Sequence, residues 1–264
     1  RNNDGTVHRT NYGEVYKRTQ KLAHALESIG AEPGDRIGTI SWNSFRHLEV
    51  YYATSGIGCI CHTVNPRLFV EQLTYIINHA EDKFLFVDTS FVTLVEDLKS
   101  DLTSVKGVIV MCDQNEMPET SFSNVYCYET LIEDQQDYYD WPQFDENTAS
   151  SLCYTSGTTG NPKGVLYGHR STVLHSWCAS SADGLGIRND DSLLVIVPMF
   201  HANAWGTPYA APMWGSKMVF PGRHLDGESL VELIQKEQVT LSAAVPTVWL
   251  GILQYLKKTG KTLG

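Results

Sequence analysis

No apolar run in the 264 residues approaches the roughly 18 that a membrane-crossing helix needs. The first residues, Arg1-Asn2-Asn3-Asp4-Gly5, lack the apolar core of a signal peptide, and the chain does not begin with Met, so a trimmed or partial sequence is expected. Positive charge is scarce: Lys and Arg total 20 against 30 Asp and Glu, a formal net charge of −10. That balance argues against a nucleic-acid partner, because phosphate backbones need clustered cations. The six cysteines (Cys59, Cys61, Cys112, Cys127, Cys153, Cys178) contain no C-x-x-C pair and sit mostly in apolar runs. Buried, reduced thiols and a cytoplasmic setting are therefore expected. Cys59 and Cys61 with His62 supply too few clustered ligands for a metal. No repeat of fixed period is present. With 42% hydrophobic and 19% charged residues, the composition is that of a soluble globular chain long enough for one large domain or two small ones.

Against these absences stands one dense stretch, Leu152 to Gly168. Gly157, Gly160 and Gly164 permit backbone angles closed to other residues, so successive N–H groups can turn inward and form a concave anion site. Thr155, Ser156, Thr158 and Thr159 add hydroxyl donors, and Lys163 adds a mobile point charge suited to a polyphosphate. Pro162 stiffens the exit. The Walker pattern G-x-x-x-x-G-K-[ST] does not fit: counted from Gly157, the second glycine position holds Pro162, and Lys163 is followed by Gly164 rather than a hydroxyl.

Around this loop the hydrophobic spacing alternates. Helical periodicity over 12–29 is closed by Gly30. Strand-like runs at 37–41, 59–64, 83–87 and 107–111 then alternate with helical spacing at 45–58, 70–78 and 91–102. This pattern implies βαβ units and a mostly parallel sheet covered on both faces. Residues 113–147 are polar, with Tyr138, Tyr139 and Trp141 interspersed, and read as an irregular surface excursion without chemistry. A strand at 149–154 feeds the loop, which places it outside the carboxyl edge of the sheet, where open α/β folds bind ligands. Ser171 is the expected cap of a helix to about 182. The Gly- and Asp-rich connector 183–191 marks a subdomain boundary. Beyond it, strands at 193–197, 218–220 and 240–244 alternate with helices at 225–235 and 247–256. His169 and Arg170 are read as surface or capping residues.

Two further stretches follow strands. Val197-Pro198-Met199-Phe200-His201-Ala202-Asn203-Ala204-Trp205 puts a His and a Trp at a carboxyl edge, although such aromatic clusters more often pack than react. Leu241 to Trp249 turns at Pro246 from small residues, Ser242, Ala243 and Ala244, which leave room for an extended ligand.

Tyr154 to Gly164 resembles the signature loop of the adenylate-forming (AMP-binding) superfamily, which includes acyl-CoA synthetases, peptide-synthetase adenylation domains and beetle luciferases. The His201 segment is similar to that of medium- and long-chain fatty-acyl-CoA synthetases, and 63–68 and 241–250 also resemble family stretches. The resemblance implies an α/β fold of two doubly wound, mostly parallel sheet subdomains belonging to the synthetase large domain. Residues 34–182 would form the first, with its loop at 154–164, and 1–33 plus 183–264 an incomplete second, with the C-terminal domain absent. It implies ligation of a fatty acid to coenzyme A with ATP and Mg2+. The ATP phosphates would lie on Thr155, Ser156, Gly157, Thr158, Thr159, Gly160 and Lys163, with Thr155 on the magnesium ion. Lys163 and His201 would be catalytic, His201 near the α-phosphate and the acyl carboxylate. Trp205 would gate the acyl tunnel, and Val245, Pro246 and Thr247 would line the pocket. The family's Tyr-Gly-x-Thr-Glu stretch, later Asp, hinge and C-terminal Lys are not in this sequence, so the chain by itself is expected to be inactive or weakly active. A homodimer stays open, as do two alternatives: another acid-adenylating enzyme, or a non-catalytic module binding ATP or acyl groups.

Overall fold

The computed structural model describes residues 1–155 and 161–263. It divides into two compact units, a larger one of Thr10–Ser41 and Arg46–Ser171 and a smaller one of Arg1–Arg9, Trp42–Phe45 and Thr172–Gly264.

The larger unit alternates helices and strands: α1 Tyr12–Ser28, β1 Arg36–Ile40, α2 Phe45–Gly56, β2 Ile60–Thr63, α3 Val70–Ala80, β3 Phe84–Val87, α4 Val92–Leu98, β4 Gly107–Val110, β5 Val125–Cys127, α5 Tyr128–Glu133, β6 Ala149–Tyr154 and β7 Gly164–Gly168. They form a seven-stranded sheet in the order β5-β4-β3-β1-β2-β6-β7. Each described pairing is parallel except β6 with β7, which is antiparallel. Strand residues point alternately to the two faces, and the continuous apolar runs need both faces covered. Phe84 and Phe86 pack with Leu22, Leu26 and Val50 of α1 and α2. Leu85 and Val87 pack on the other face with Leu73, Ile76 and Val95 of α3 and α4.

Helix α1 starts where the Asn11 side chain accepts the Glu14 N–H at 3.0 Å, satisfying one of the unpaired N–H groups of the first turn. Its face of Leu22, Ala23, Ala25 and Leu26 is fully buried, each leucine contributing about 1.5–3 kcal/mol by leaving water. That burial joins α1 to the larger unit, whereas the sequence reading had grouped 1–33 with 183–264. Ser171 does not cap the following helix, α6 His169–Ser180; its hydroxyl donates to the Gly168 carbonyl at 2.8 Å. The stretch 113–147 is more than an irregular excursion: it supplies β5 and α5, and Tyr128 is fully buried. The Tyr128 hydroxyl donates to Glu49 at 2.7 Å, a charge buried by α2 whose partner lies far away in sequence. Arg18 of α1 binds Glu49 at 2.8 and 3.1 Å and Glu129 at 2.8 and 2.9 Å, while Arg46 donates to Glu129 at 2.7 Å.

The smaller unit contains β8 Ser192–Val195, α7 Thr207–Trp214, β9 Lys217–Val219, α8 Gly227–Lys236, β10 Leu241–Ala243 and α9 Pro246–Thr259. Its sheet is parallel, in the order β10-β8-β9, and its core joins Leu194, Val219, Leu230, Leu233 and Ile252. Residues 1–9 are held to this unit by Arg9, which binds the buried Glu237 through both carboxylate oxygens at 3.0 and 2.7 Å. Lys217 binds the same carboxylate at 2.8 Å. Of the cysteines, Cys178 is exposed and the other five are buried, the exception arising because α6 buries only Ser176.

Candidate functional site

The Gly- and Thr-rich loop leaves the carboxyl end of β6 and returns into β7, so its two stems are hydrogen-bonded antiparallel neighbours. The pinch at its base is specific. Thr155 N–H donates to the Lys163 carbonyl at 2.9 Å, and Lys163 N–H donates to the Thr155 hydroxyl at 3.2 Å. Both side chains are exposed and Pro162 is buried between them in sequence, so the ammonium and the hydroxyl project from one fixed base. Gly164 is required by a close approach: a Cβ there would meet Leu152 at 3.0 Å and the Tyr154 ring at 3.3 Å. The expected phosphate contacts Ser156, Gly157, Thr158, Thr159 and Gly160 lie outside the described residues.

The remaining expected residues belong to the smaller unit. Adjacent parallel strands β8 and β10 send 196–205 and 244–247 from the same sheet edge. That shared edge brings Trp205 beside β10. Trp205 and Ala204 border a narrow apolar crevice of ≈ 20 Å³ with Leu193, Val195, Leu241 and Ala243, room for about one water molecule. His201 is exposed, as are Val245, Pro246 and Thr247 at the start of α9, where Pro246 occupies the first turn.

The His-Asn-Trp stretch has an unexpected backbone. Ala202, Asn203, Ala204 and Trp205 take φ of 43, 51, 50 and 57°, followed by Gly206 at 74°. A left-handed turn of non-glycine residues costs roughly 1–2 kcal/mol per residue, so neighbouring contacts must hold it. His175 Nε2 lies 3.0 Å from the Trp205 carbonyl, Thr207 hydroxyl donates to the Ala204 carbonyl at 2.8 Å, and a Cβ on Gly206 would strike the His175 ring at 2.5 Å.

Sequence reasoning missed the residue that anchors the entry to this turn, Asn43. Its buried amide donates to the carbonyls of Val195 and Val197 at 2.8 and 2.9 Å, and its oxygen accepts the Met199 N–H at 2.7 Å. The available signal was slight, a polar residue shortly after the buried β1. Its partners lie more than 150 positions downstream, which no local pattern discloses.

The chain is similar to known proteins along nearly its whole length. The chain is 53% identical over 260 residues to a 3-methylmercaptopropionyl-CoA ligase of Ruegeria lacuscaerulensis, covering 98% of this chain and 48% of that protein. It is also 53% identical over 249 residues to a medium-chain-fatty-acid–CoA ligase of Ectopseudomonas oleovorans, covering 94% of this chain and 46% of the relative. The chain thus spans about half the length of the curated relatives it matches. The structure of a long-chain-fatty-acid-CoA ligase from Archaeoglobus fulgidus superposes with a TM-score of 0.83 at 24% identity, over 96% of this chain and 48% of that one, and shares the fold. The model of the AMP-binding enzyme family matches residues 3–263, and the chain belongs to that family.

Proposed function

We propose that this chain is part of an AMP-forming fatty-acid–CoA ligase. In its reaction a carboxylate attacks the α-phosphorus of ATP and pyrophosphate leaves; the thiol of coenzyme A then displaces AMP from the acyl adenylate. The observation that carries this reading is the 53% identity to two acid–CoA ligases along 94–98% of the chain. Such displacement needs positioning and electrostatic stabilisation of phosphate oxygens. Lys163 supplies a cation, and the hydroxyl of Thr155 together with Ser156, Gly157, Thr158, Thr159 and Gly160 is assigned to the β- and γ-phosphates and the departing pyrophosphate. The exposed Thr155 hydroxyl is a hard oxygen donor suited to Mg2+, which draws its remaining ligands from phosphate and water. Bound there, the ion would neutralise charge on the phosphates. Among the described residues no group of three or more His, Cys, Asp or Glu is arranged for a metal, and a site completed by substrate requires none. His201 is assigned to the acyl carboxylate and α-phosphate, and Trp205 to control of the acyl path. Val245, Pro246 and Thr247 are assigned to the pocket wall. The ≈ 20 Å³ crevice is far below a ligand-sized cavity of about 300 Å³ or more, and the assignment of Trp205 to the acyl path supposes that this edge opens when the acyl chain binds. Medium to long fatty acids are the favoured substrates.

The test is carboxylate-dependent exchange of pyrophosphate into ATP by the full-length parent protein, across a series of fatty acids, beside its Lys163→Ala variant. Exchange that peaks in one chain-length class and falls at least about tenfold in the variant is expected, about 1.4 kcal/mol or more of lost stabilisation. ATP binding without exchange for any carboxylate would replace this reading with that of a non-catalytic nucleotide-binding module.

A further inference from the structure

His62 of β2 is fully buried, as is Asp82, the second residue after α3. The imidazole Nδ1 meets both carboxylate oxygens, at 2.9 and 2.7 Å. Asp82 follows the face of α3 whose Ile76 and Ile77 pack in one apolar cluster with Leu85. Burying a polar group costs free energy unless it is hydrogen-bonded, and here His62 Nε2 is buried with no hydrogen-bond partner among the described residues. The fold nevertheless makes room for the pair in two ways. Gly38, opposite His62 on β1, would bring a Cβ to 3.0 Å from the Asp82 carboxylate and 2.4 Å from Leu85. Glu81 takes a left-handed φ of 54°, and its neighbour Asp82 donates its N–H to the Ile77 carbonyl at 3.1 Å, turning the carboxylate inward after α3.

The other side of the imidazole leads to the loop. The His62 ring lies 5.1 Å from the ring of Tyr154, the residue immediately before Thr155. The Tyr154 hydroxyl is 2.6 Å from Nδ1 of His79, in the last turn of α3, and the same Tyr ring fills the space that Gly164 leaves open. We propose that the His62–Asp82 pair is a positioning device for the phosphate loop: Asp82 fixes the imidazole, and His62 with His79 holds Tyr154, which sets the base of the loop at Thr155 and Gly164. The device rests on the reading of this loop as a phosphate site. A core that only needed filling would be served by two apolar side chains; the chain keeps instead a polar pair whose imidazole faces the ring of Tyr154 in the loop stem.

Two measurements on the full-length parent protein separate the device from the reading it rests on. Amide hydrogen exchange at Thr155 and Gly164 follows the stem itself, and calorimetric titration with inorganic pyrophosphate follows the loop's function, with Lys163→Ala as its control. In the double variant His62→Leu/Asp82→Leu, which leaves no buried charge alone, the urea midpoint should stay within 0.5 M of the parent protein. Exchange at Thr155 should nevertheless accelerate at least tenfold and pyrophosphate affinity fall about tenfold. Tyr154→Phe, which keeps the ring and removes only the bond to His79, should show a several-fold acceleration; if the double variant fails to fold, Asp82→Asn, which keeps the shape of the pair and weakens its hold on the imidazole, decides the matter through the same exchange at Thr155. Unchanged Thr155 exchange in the folded variants would overturn the positioning role, whatever pyrophosphate does. Equal binding by the parent protein and Lys163→Ala, or binding by neither, would remove the phosphate reading while exchange still reports on the clamp.

Discussion

Single residues in this protein are held mostly by partners distant in sequence. Glu49 is fully buried, and burial pushes its carboxyl above the usual range while Arg18 and Tyr128 draw it back. Removing one member of such a cluster leaves an uncompensated buried charge, which costs about 3–5 kcal/mol. Arg18→Met should therefore lower the free energy of unfolding by that amount in urea titrations. Combining it with Glu49→Leu should recover much of the loss, because the orphan charge disappears. None of these partnerships is legible from residue type: Arg18, Glu49 and Glu129 look like ordinary solvated charges at their places in the sequence. The candidate residues Thr155, Lys163, His201 and Trp205, by contrast, lie in short local stretches, and it is the resemblance of those stretches to family motifs that names them.

Elements were legible where one period dominated. Helix α1 and the strands β1 to β4 appear close to where spacing puts them, since burial on two faces imposes long apolar runs. The element that sequence could not give is the left-handed turn 202–205, because no glycine announces it before Gly206. Its strain is testable. Ala202 at φ 43° is a position where glycine adopts the native angle without steric cost, so Ala202→Gly should raise stability by about 1 kcal/mol, read as a higher denaturant midpoint with unchanged slope. A lower midpoint would mean that the methyl group's packing outweighs the strain. Helix α5 escaped notice for the opposite reason. Its short apolar signal is diluted among acidic and polar residues, and only Tyr128 and Ile132 are buried.

For the whole molecule, the excess of negative charge makes carboxylate environments decisive in acid. Glu237 is held down to about 2, first by its bonds to Arg9 and then by Lys217, with burial opposing. Glu232 is likewise held to about 2, by Lys236 and Arg1. A carboxyl whose folded value lies below its unfolded value, about 4.3, gives its full stabilisation above the unfolded value and loses it as pH falls through the folded one. Stability should thus decline between about pH 4.3 and pH 2, followed by urea midpoints at successive pH values. Glu237→Gln should flatten that slope while lowering the plateau at neutral pH. An unaltered slope would show that the Arg9 and Lys217 pairs are screened by solvent. No helix among the described residues is long and apolar enough to cross a membrane.

The sequence by itself determined the α/β alternation and the mostly parallel sheets, because these depend on hydrophobic periodicity within short windows. Tertiary structure alone decided which charges are buried together, why Gly38 and Gly164 must lack a side chain, how Asn43 ties down a strand end, and that His62, Asp82 and Tyr154 meet beneath the loop. Those features arise where chain segments separated by 20 to more than 150 positions converge, and the free energy of a contact depends on its neighbours in space rather than along the chain.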